Sequence, residues 1–138
     1  MILLDTDTLT LLFQGNPGVE HSLGSVDEPV ATTIITWMEI LQGRFDAVFK
    51  ASDASQLQRA HRRLIDSERQ LRTLPIIPID ESIAQQFEDL LKNKKLRKIG
   101  RGDILITSFA LAKRATLATR NLRDFRQISG LKTVNWAN

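Results

Sequence analysis

Short apolar runs alternate with longer segments of helical periodicity along this chain, and that alternation predicts an α/β fold. The expected architecture is one domain over residues 1–138, with a central parallel sheet of four or five strands and helices on both faces. Two further observations support it. The chain has 138 residues, 42% hydrophobic and 25% charged, as expected of a soluble globular domain able to bury a core, and no repeat, low-complexity tract or linker divides it. Acidic residues also recur just past the predicted strands, where open parallel sheets collect ligands.

Ile2-Leu3-Leu4 reads as a short buried strand that runs directly into Asp5, Thr6 and Asp7. Thr8 to Phe13 has helical apolar spacing, and Gly15-Asn16-Pro17-Gly18 breaks it, with Pro17 able to open a second short helix carrying Val19 and Leu23. Val30 to Ile35 is β-branched and strand-like. From Trp37 a helix is expected, with Met38, Leu41, Phe45, Val48 and Phe49 on its apolar face. Ser55 to Leu74 repeats Leu57, Ala60 or His61, Leu64 and Leu71 over a charged background, an amphipathic helix whose N-terminal boundary, Ser52-Asp53-Ala54-Ser55, reads as a turn supplying an N-cap. Prolines at 75 and 78 bracket a strand suited to a sheet edge, and Asp80 should cap the helix that carries Ile83, Phe87, Leu90 and Leu91. Asn93 to Gly102 is a basic loop or helix end, and Ile104 to Ala115 a buried helix. Thr116 to Thr119 makes a strand, Asn121 to Phe125 a turn, and Lys132 to Asn135 a last strand.

Composition removes several kinds of chemistry. With no cysteine, disulfides, thiolate nucleophiles and zinc–thiolate sites are excluded. No apolar run approaches the ~20 residues that span a bilayer, and the N-terminus meets a carboxylate too soon for a signal peptide, so the cytoplasm is expected and no membrane partner. His21 and His61 lack a second histidine or a nucleophilic serine setting; His61 is expected at the core edge of its helix in a structural role, and Trp37 and Trp136 as packing anchors. The glycines at 15, 18 and 24 form no phosphate-binding loop. A net charge of +3 leans mildly toward an anionic partner, with basic clusters at Arg59 to Arg72 and Lys92 to Arg101. Such runs are commonly solvated faces, but the second ends two residues before Asp103.

The acids carry the chemical question. Asp5 and Asp7 follow the first strand, Glu39 sits one turn into the helix after the second, Asp103 opens the buried helix, and Asp124 follows the fourth strand. Singly, each has a structural explanation: caps for Asp5, Asp7 and Asp103, a Thr36–Glu39 capping box, a surface turn for Asp124. Together they favour a site. Carboxylates crowded beside Trp37, Met38 and an apolar helix repel one another and lose hydration, and no local histidine or repeated pairing arginine compensates. A hard divalent cation would, since magnesium and manganese take all-oxygen ligands and keep several waters.

The stretches LLDTD, TTIITWMEI, GRGDILITSFAL and ATRNLRDFRQISGL resemble PIN-domain ribonucleases, most closely the VapC-type toxins of bacterial toxin–antitoxin pairs. The resemblance runs from residue 2 to Trp136, with the motifs in family order and at family-like spacing. It implies a PIN-like fold and catalytic acids Asp5, Glu39, Asp103 and Asp124. Asp5 and Asp103 would be direct Mg²⁺ ligands, Mn²⁺ substituting, and Glu39 and Asp124 would complete the ring directly or through water. Thr6, Thr119 and Asn121 match supporting positions. Asp7 stands where the family more often has Asn or Ser, adding a charge or a cap. Thr107 and Ser108 replace the usual small alanines, and their hydroxyls can bond back to the preceding helical turn.

The resemblance further implies metal-dependent endoribonuclease activity that leaves a 5′-phosphate and a 3′-hydroxyl, with tRNA or rRNA as the substrate class. Arg101 would hold RNA at the site, with Arg44, Arg120 and Arg123 as weaker candidates. The implied partners are a VapB-type antitoxin lying across the helices near the acids and a second copy of the chain, for which Ile34 to Leu41 and Leu57 to Leu71 offer apolar faces. A non-catalytic RNA-binding or scaffold domain of the same fold is the alternative, and a magnesium-dependent phosphatase or DNA nuclease a third. Degenerate scaffold members should lose acids, and this chain keeps all four.

Overall fold

The computed structural model describes residues 1–137. Its centre is a five-stranded, wholly parallel sheet: β1 (Ile2–Leu4), β2 (Val30–Thr33), β3 (Ile76–Ile77), β4 (Thr116–Ala118) and β5 (Lys132–Val134), in the spatial order β3-β2-β1-β4-β5. The proline-bracketed strand β3 is an edge, as its composition predicts. Among the described residues seven α-helices connect and cover the sheet: α1 (Thr6–Phe13), α2 (Pro17–Ser25), α3 (Ile34–Phe49), α4 (Ala54–Leu71), α5 (Glu81–Leu91), α6 (Arg101–Lys113) and the short α7 (Leu122–Phe125).

Because side chains alternate along a strand, β1 feeds two cores. Leu3 packs with Ile83, Ile104, Phe109 and Leu117 on the α5–α6 side. Ile2 and Leu4 pack with Leu9, Val19, Leu41, Leu71 and Trp136 on the other. A parallel sheet covered on both faces accounts for strands that read as unbroken apolar runs. The chain runs outward from β1 through β2 to β3, then returns across the sheet to β4. The order therefore reverses at β1, and the carboxyl end of β1 is the switch point where such sheets form a crevice.

Several elements depart from their expected bounds, each for a local reason. β2 ends at Thr33 rather than Ile35, because the Thr33 hydroxyl accepts the Thr36 amide at 3.2 Å and caps α3 there. The β-branched Ile34 and Ile35 are thereby helical. No Thr36–Glu39 capping box forms; Thr36 is buried and Glu39 lies in the second helical turn. α6 begins at Arg101 behind a Gly100 N-cap without a side-chain cap bond, so Asp103 is in the first turn and is not the cap. The expected 121–125 turn is the helix α7. Ser108 does donate back to the Ile104 carbonyl at 2.9 Å, whereas the buried Thr107 hydroxyl finds no partner. His61 is exposed on α4 rather than at its core edge. Trp136 is buried and Trp37 half-buried, as packing anchors should be.

Candidate active site

Asp5 follows β1, and three bonds hold the chain there. The Asp5 amide donates to the Ala118 carbonyl of β4 at 3.1 Å. Thr8 donates its hydroxyl to the same carbonyl at 3.0 Å and its amide to Asp5 Oδ1 at 2.8 Å. Asp5 therefore is the N-cap of α1, and only 6% of its surface is exposed. It also lines a pocket of about 850 Å³ at the carboxyl end of the sheet. Capping occupies one carboxylate oxygen of a group that has two pairs of lone pairs to offer, so the two readings of Asp5 hold together.

Glu39 reaches the same pocket from α3. Thr6 donates its hydroxyl to Glu39 Oε1 at 2.7 Å and lies 3.1 Å from the Thr36 hydroxyl, so a threonine pair orients the carboxylate. On the far side, Glu39 lies against the first turn of α6. A Cβ built on Gly102 would stand 2.9 Å from Glu39 Oε2, so the glycine leaves the space the carboxylate fills. Asp103, the next residue, is half-buried and also lines the pocket. Burial raises its pKa above the ordinary carboxylate value, and the charges of Asp5, Glu39 and Asp124 raise it further, while the Asn121 amide opposes the shift. Carboxylates from three other chain segments thus act on Asp103.

Asn121 follows β4. Its amide donates to the buried Thr119 hydroxyl at 3.0 Å, and its side chain donates to Asp124 Oδ2 at 3.0 Å. Asn121 lines the pocket, whereas Asp124 itself does not and acts from the first turn of α7. Thr119 supports Asn121 from within the core and, among the described residues, makes no hydrogen bond to an acid. Asp7 is also on the pocket wall, but its carboxylate is gripped by Arg120, with Nε at 2.6 Å and a terminal nitrogen at 3.1 Å. It neither caps α1 nor adds an uncompensated charge.

Of the arginines expected to hold RNA, only Arg120 lines the acidic pocket, and Asp7 fixes it there. Arg101 projects over the Phe87 ring, 5.6 Å from its centroid, and lines a neighbouring depression. Arg44 lines a third, between α3 and α4, and Arg123 is exposed on α7. Two pocket residues escaped sequence reading: Thr10, four residues beyond Thr6 on the same helix face, and Asn135, just past β5. The i,i+4 spacing could have found Thr10; nothing local marks Asn135.

Among the described residues no three acidic side chains form a ready-made metal cage. The donor set nonetheless fits a hard cation, since every polar side chain around the acids except Arg120 offers oxygen and neither histidine lines the pocket. Magnesium keeps most of its waters and needs only one or two carboxylates directly, which suits an open pocket with dispersed acids.

The structure is thus a doubly wound α/β fold with acidic side chains from separate chain segments gathered around the pocket at its switch point. The chain belongs to the PIN-domain family, whose model matches residues 2–131. Over 38 residues it is 47% identical to Ribonuclease VapC2 of Rickettsia felis, a stretch that spans 28% of this chain and 28% of that relative. A toxin–antitoxin complex from Klebsiella pneumoniae contains a chain with TM-score 0.70 and 27% identity, covering 99% of this chain and 98% of that one. The fold also matches a chain of DNA-bound VapBC from Salmonella typhimurium, with TM-score 0.80 at 22% identity over 98% of this chain and 97% of that one.

Proposed function

We propose that the protein is the toxin of a VapBC-type toxin–antitoxin pair, a Mg²⁺-dependent endoribonuclease acting in the cytoplasm on tRNA or rRNA. The observation that carries this reading is the meeting of Asp5, Glu39 and Asp103 in one pocket, with Asp124 within electrostatic reach of Asp103. Asp5 and Asp103 would hold the cation directly, Glu39 and Asp124 directly or through water. Bound there, the ion would polarise a phosphodiester and make a water nucleophilic near neutral pH. The chain's own groups set the geometry. Capping of α1 orients Asp5, Thr6 orients Glu39, and Asn121 orients Asp124. Arg120, held by Asp7, offers a positive edge beside the acids.

The expected antitoxin would cover the helices around the pocket, and a homodimer would bury apolar surface. Ile34 to Leu41 is a poorer candidate for that surface than its sequence suggests, because Ile35 and Leu41 already belong to the cores and Met38 alone is largely exposed. Phe45 and Phe49 further along α3, with Leu57 and Ile65 on α4, are the other exposed large apolar groups of this hairpin.

Cleavage of structured RNA by the purified chain with Mg²⁺ or Mn²⁺, beside DNA and a phosphate monoester, tests the proposal. Asp5→Asn and Asp103→Asn should each lower RNA cleavage by more than about a hundredfold, beyond the usual loss for a residue that only orients a ligand. Asparagine is as good an N-cap as aspartate, so Asp5→Asn removes the charge while sparing α1. Wild-type cleavage by both variants would reject Asp5 and Asp103 as catalytic, and RNA binding without cleavage by the wild type would favour the scaffold alternative.

A further inference from the structure

A second depression, of about 230 Å³, lies between α1, α3 and α4 and carries the opposite charge to the acidic pocket. Arg44 of α3 and Arg63 of α4 both line it, with Ser67 and Gln70. Arg44 is half-buried and donates its Nε to Ser67 Oγ at 2.8 Å, which fixes the plane of the guanidinium while leaving its terminal amino groups without a protein acceptor among the described residues. Asp66 also lines the depression but makes no ion pair with either arginine. Burial and the neighbouring charge of Arg63 both disfavour the protonated form of Arg44. Arg44, half-buried and fixed beside the exposed Arg63, carries a cost in the free protein that an anion would relieve.

Position says which anion. Thr10 lines this depression and the acidic pocket alike, so the two adjoin along α1. A nucleic-acid strand presented to a ring of carboxylates is repelled by them and must draw its attraction from cations alongside. A planar, pre-oriented guanidinium fork matches the oxygens of a phosphate.

We propose that Arg44 and Arg63 form a phosphate subsite that grips one backbone phosphate of the RNA strand next to the bond placed at the acids. The subsite rests on the ribonuclease reading and adds to it a fixed register between the acids and the strand. It reads the backbone, so it contributes affinity without sequence preference.

The test uses a short fluorescein-labelled single-stranded RNA of mixed sequence, the Asp5→Asn chain to prevent cleavage, and anisotropy titrations over a range of NaCl with EDTA present. Arg44→Gln and Arg63→Gln should each weaken binding and lower the slope of log K against log salt by about 0.7, the value of one single-strand phosphate contact. Arg72→Gln, which removes an exposed arginine already paired with Glu68, should leave the slope unchanged. Arg63 is on the outer part of α4, so its variant reports even where Arg44→Gln perturbs folding; Arg44→Lys keeps the charge while losing the fork. Unchanged slopes in both glutamine variants, or an equal drop in Arg72→Gln, would overturn the subsite. Retained RNA binding with lost binding of polyglutamate would assign the depression to an acidic protein segment and overturn it too. If the subsite fails while wild-type protein still cleaves RNA, the ribonuclease reading stands. Wild-type protein that neither binds nor cleaves RNA removes both.

Discussion

At the scale of single residues, the acids show how one side chain serves both structure and chemistry. Asp5 caps α1 and faces the pocket, and no fold stability need be given up for the second role. Asp103 differs, because it caps nothing and its ionisation is opposed by burial and by three neighbouring carboxylates. Its folded-state pKa is raised, so the folded chain binds this proton more tightly than the unfolded chain does. The resulting penalty is absent below the ordinary value of 3.8, grows as pH rises through the raised value, and is fully present above it. In EDTA, Asp103→Asn should therefore have a higher Tm than the wild type at pH 7, and the difference should vanish as pH falls below 4. Thermal melts across that range check it; equal Tm values at every pH would mean that the carboxylates do not crowd. Added Mg²⁺ should raise the wild-type Tm and leave the Asp103→Asn variant nearly unmoved.

At the scale of elements, the site depends on where helices begin. The strand-to-helix boundaries after β1 and β2 are set by Asp5 and Thr33, and each cap fixes the rotation at which its helix presents an acid or a threonine to the pocket. The first boundary was legible because Asp5 interrupts an apolar run. The second was misplaced, since Ile34 and Ile35 have strand propensity and only the Thr33 cap makes them helical. The caps at Asp5, Asp53 and Asp80, the edge position of β3 and the four acids could be read locally. The Asp7–Arg120 pair could not, because it joins residues 113 positions apart, and neither could the diversion of Arg101 onto Phe87. The crossing of α3 and α6 was equally invisible, although it is what Gly102 is for. Gly102→Ala should suit α6, as alanine favours a helix by up to ~1 kcal/mol over glycine. The new methyl would displace the flexible end of Glu39, so Tm should hold or rise while RNA cleavage falls by about 10- to 100-fold. Melts and cleavage rates measured together decide it, and full activity would show that Glu39 tolerates a shift.

At the scale of the whole molecule, two cores on opposite faces of one short-stranded sheet must hold the switch point rigid. The α5–α6 face packs Leu3 of β1 and Leu117 of β4 against Ile83 and Phe109. The other face joins the two ends, since Trp136 packs with Ile2, Leu4, Val19 and Leu71. That closure depends on Gly18 in the first turn of α2. A Cβ there would stand 2.7 Å from the Trp136 carbonyl oxygen and 3.3 Å from the Ala137 carbonyl, backbone atoms that cannot swing aside as a side chain does. Gly24, on the same helix, has nothing within 4 Å of the equivalent Cβ. The pair separates helix propensity from close packing. Both substitutions to alanine favour α2 intrinsically, but overpacking costs about 1–3 kcal/mol, so Gly18→Ala should lower Tm by about 5 °C while Gly24→Ala should leave it unchanged or higher. Asn135 lines the acidic pocket from the segment that carries Trp136, so loosening that segment in Gly18→Ala should also reduce RNA cleavage at temperatures well below the melt. Matching Tm values for the two variants would show that the C-terminal segment is not docked on α2, and that the second core closes without it.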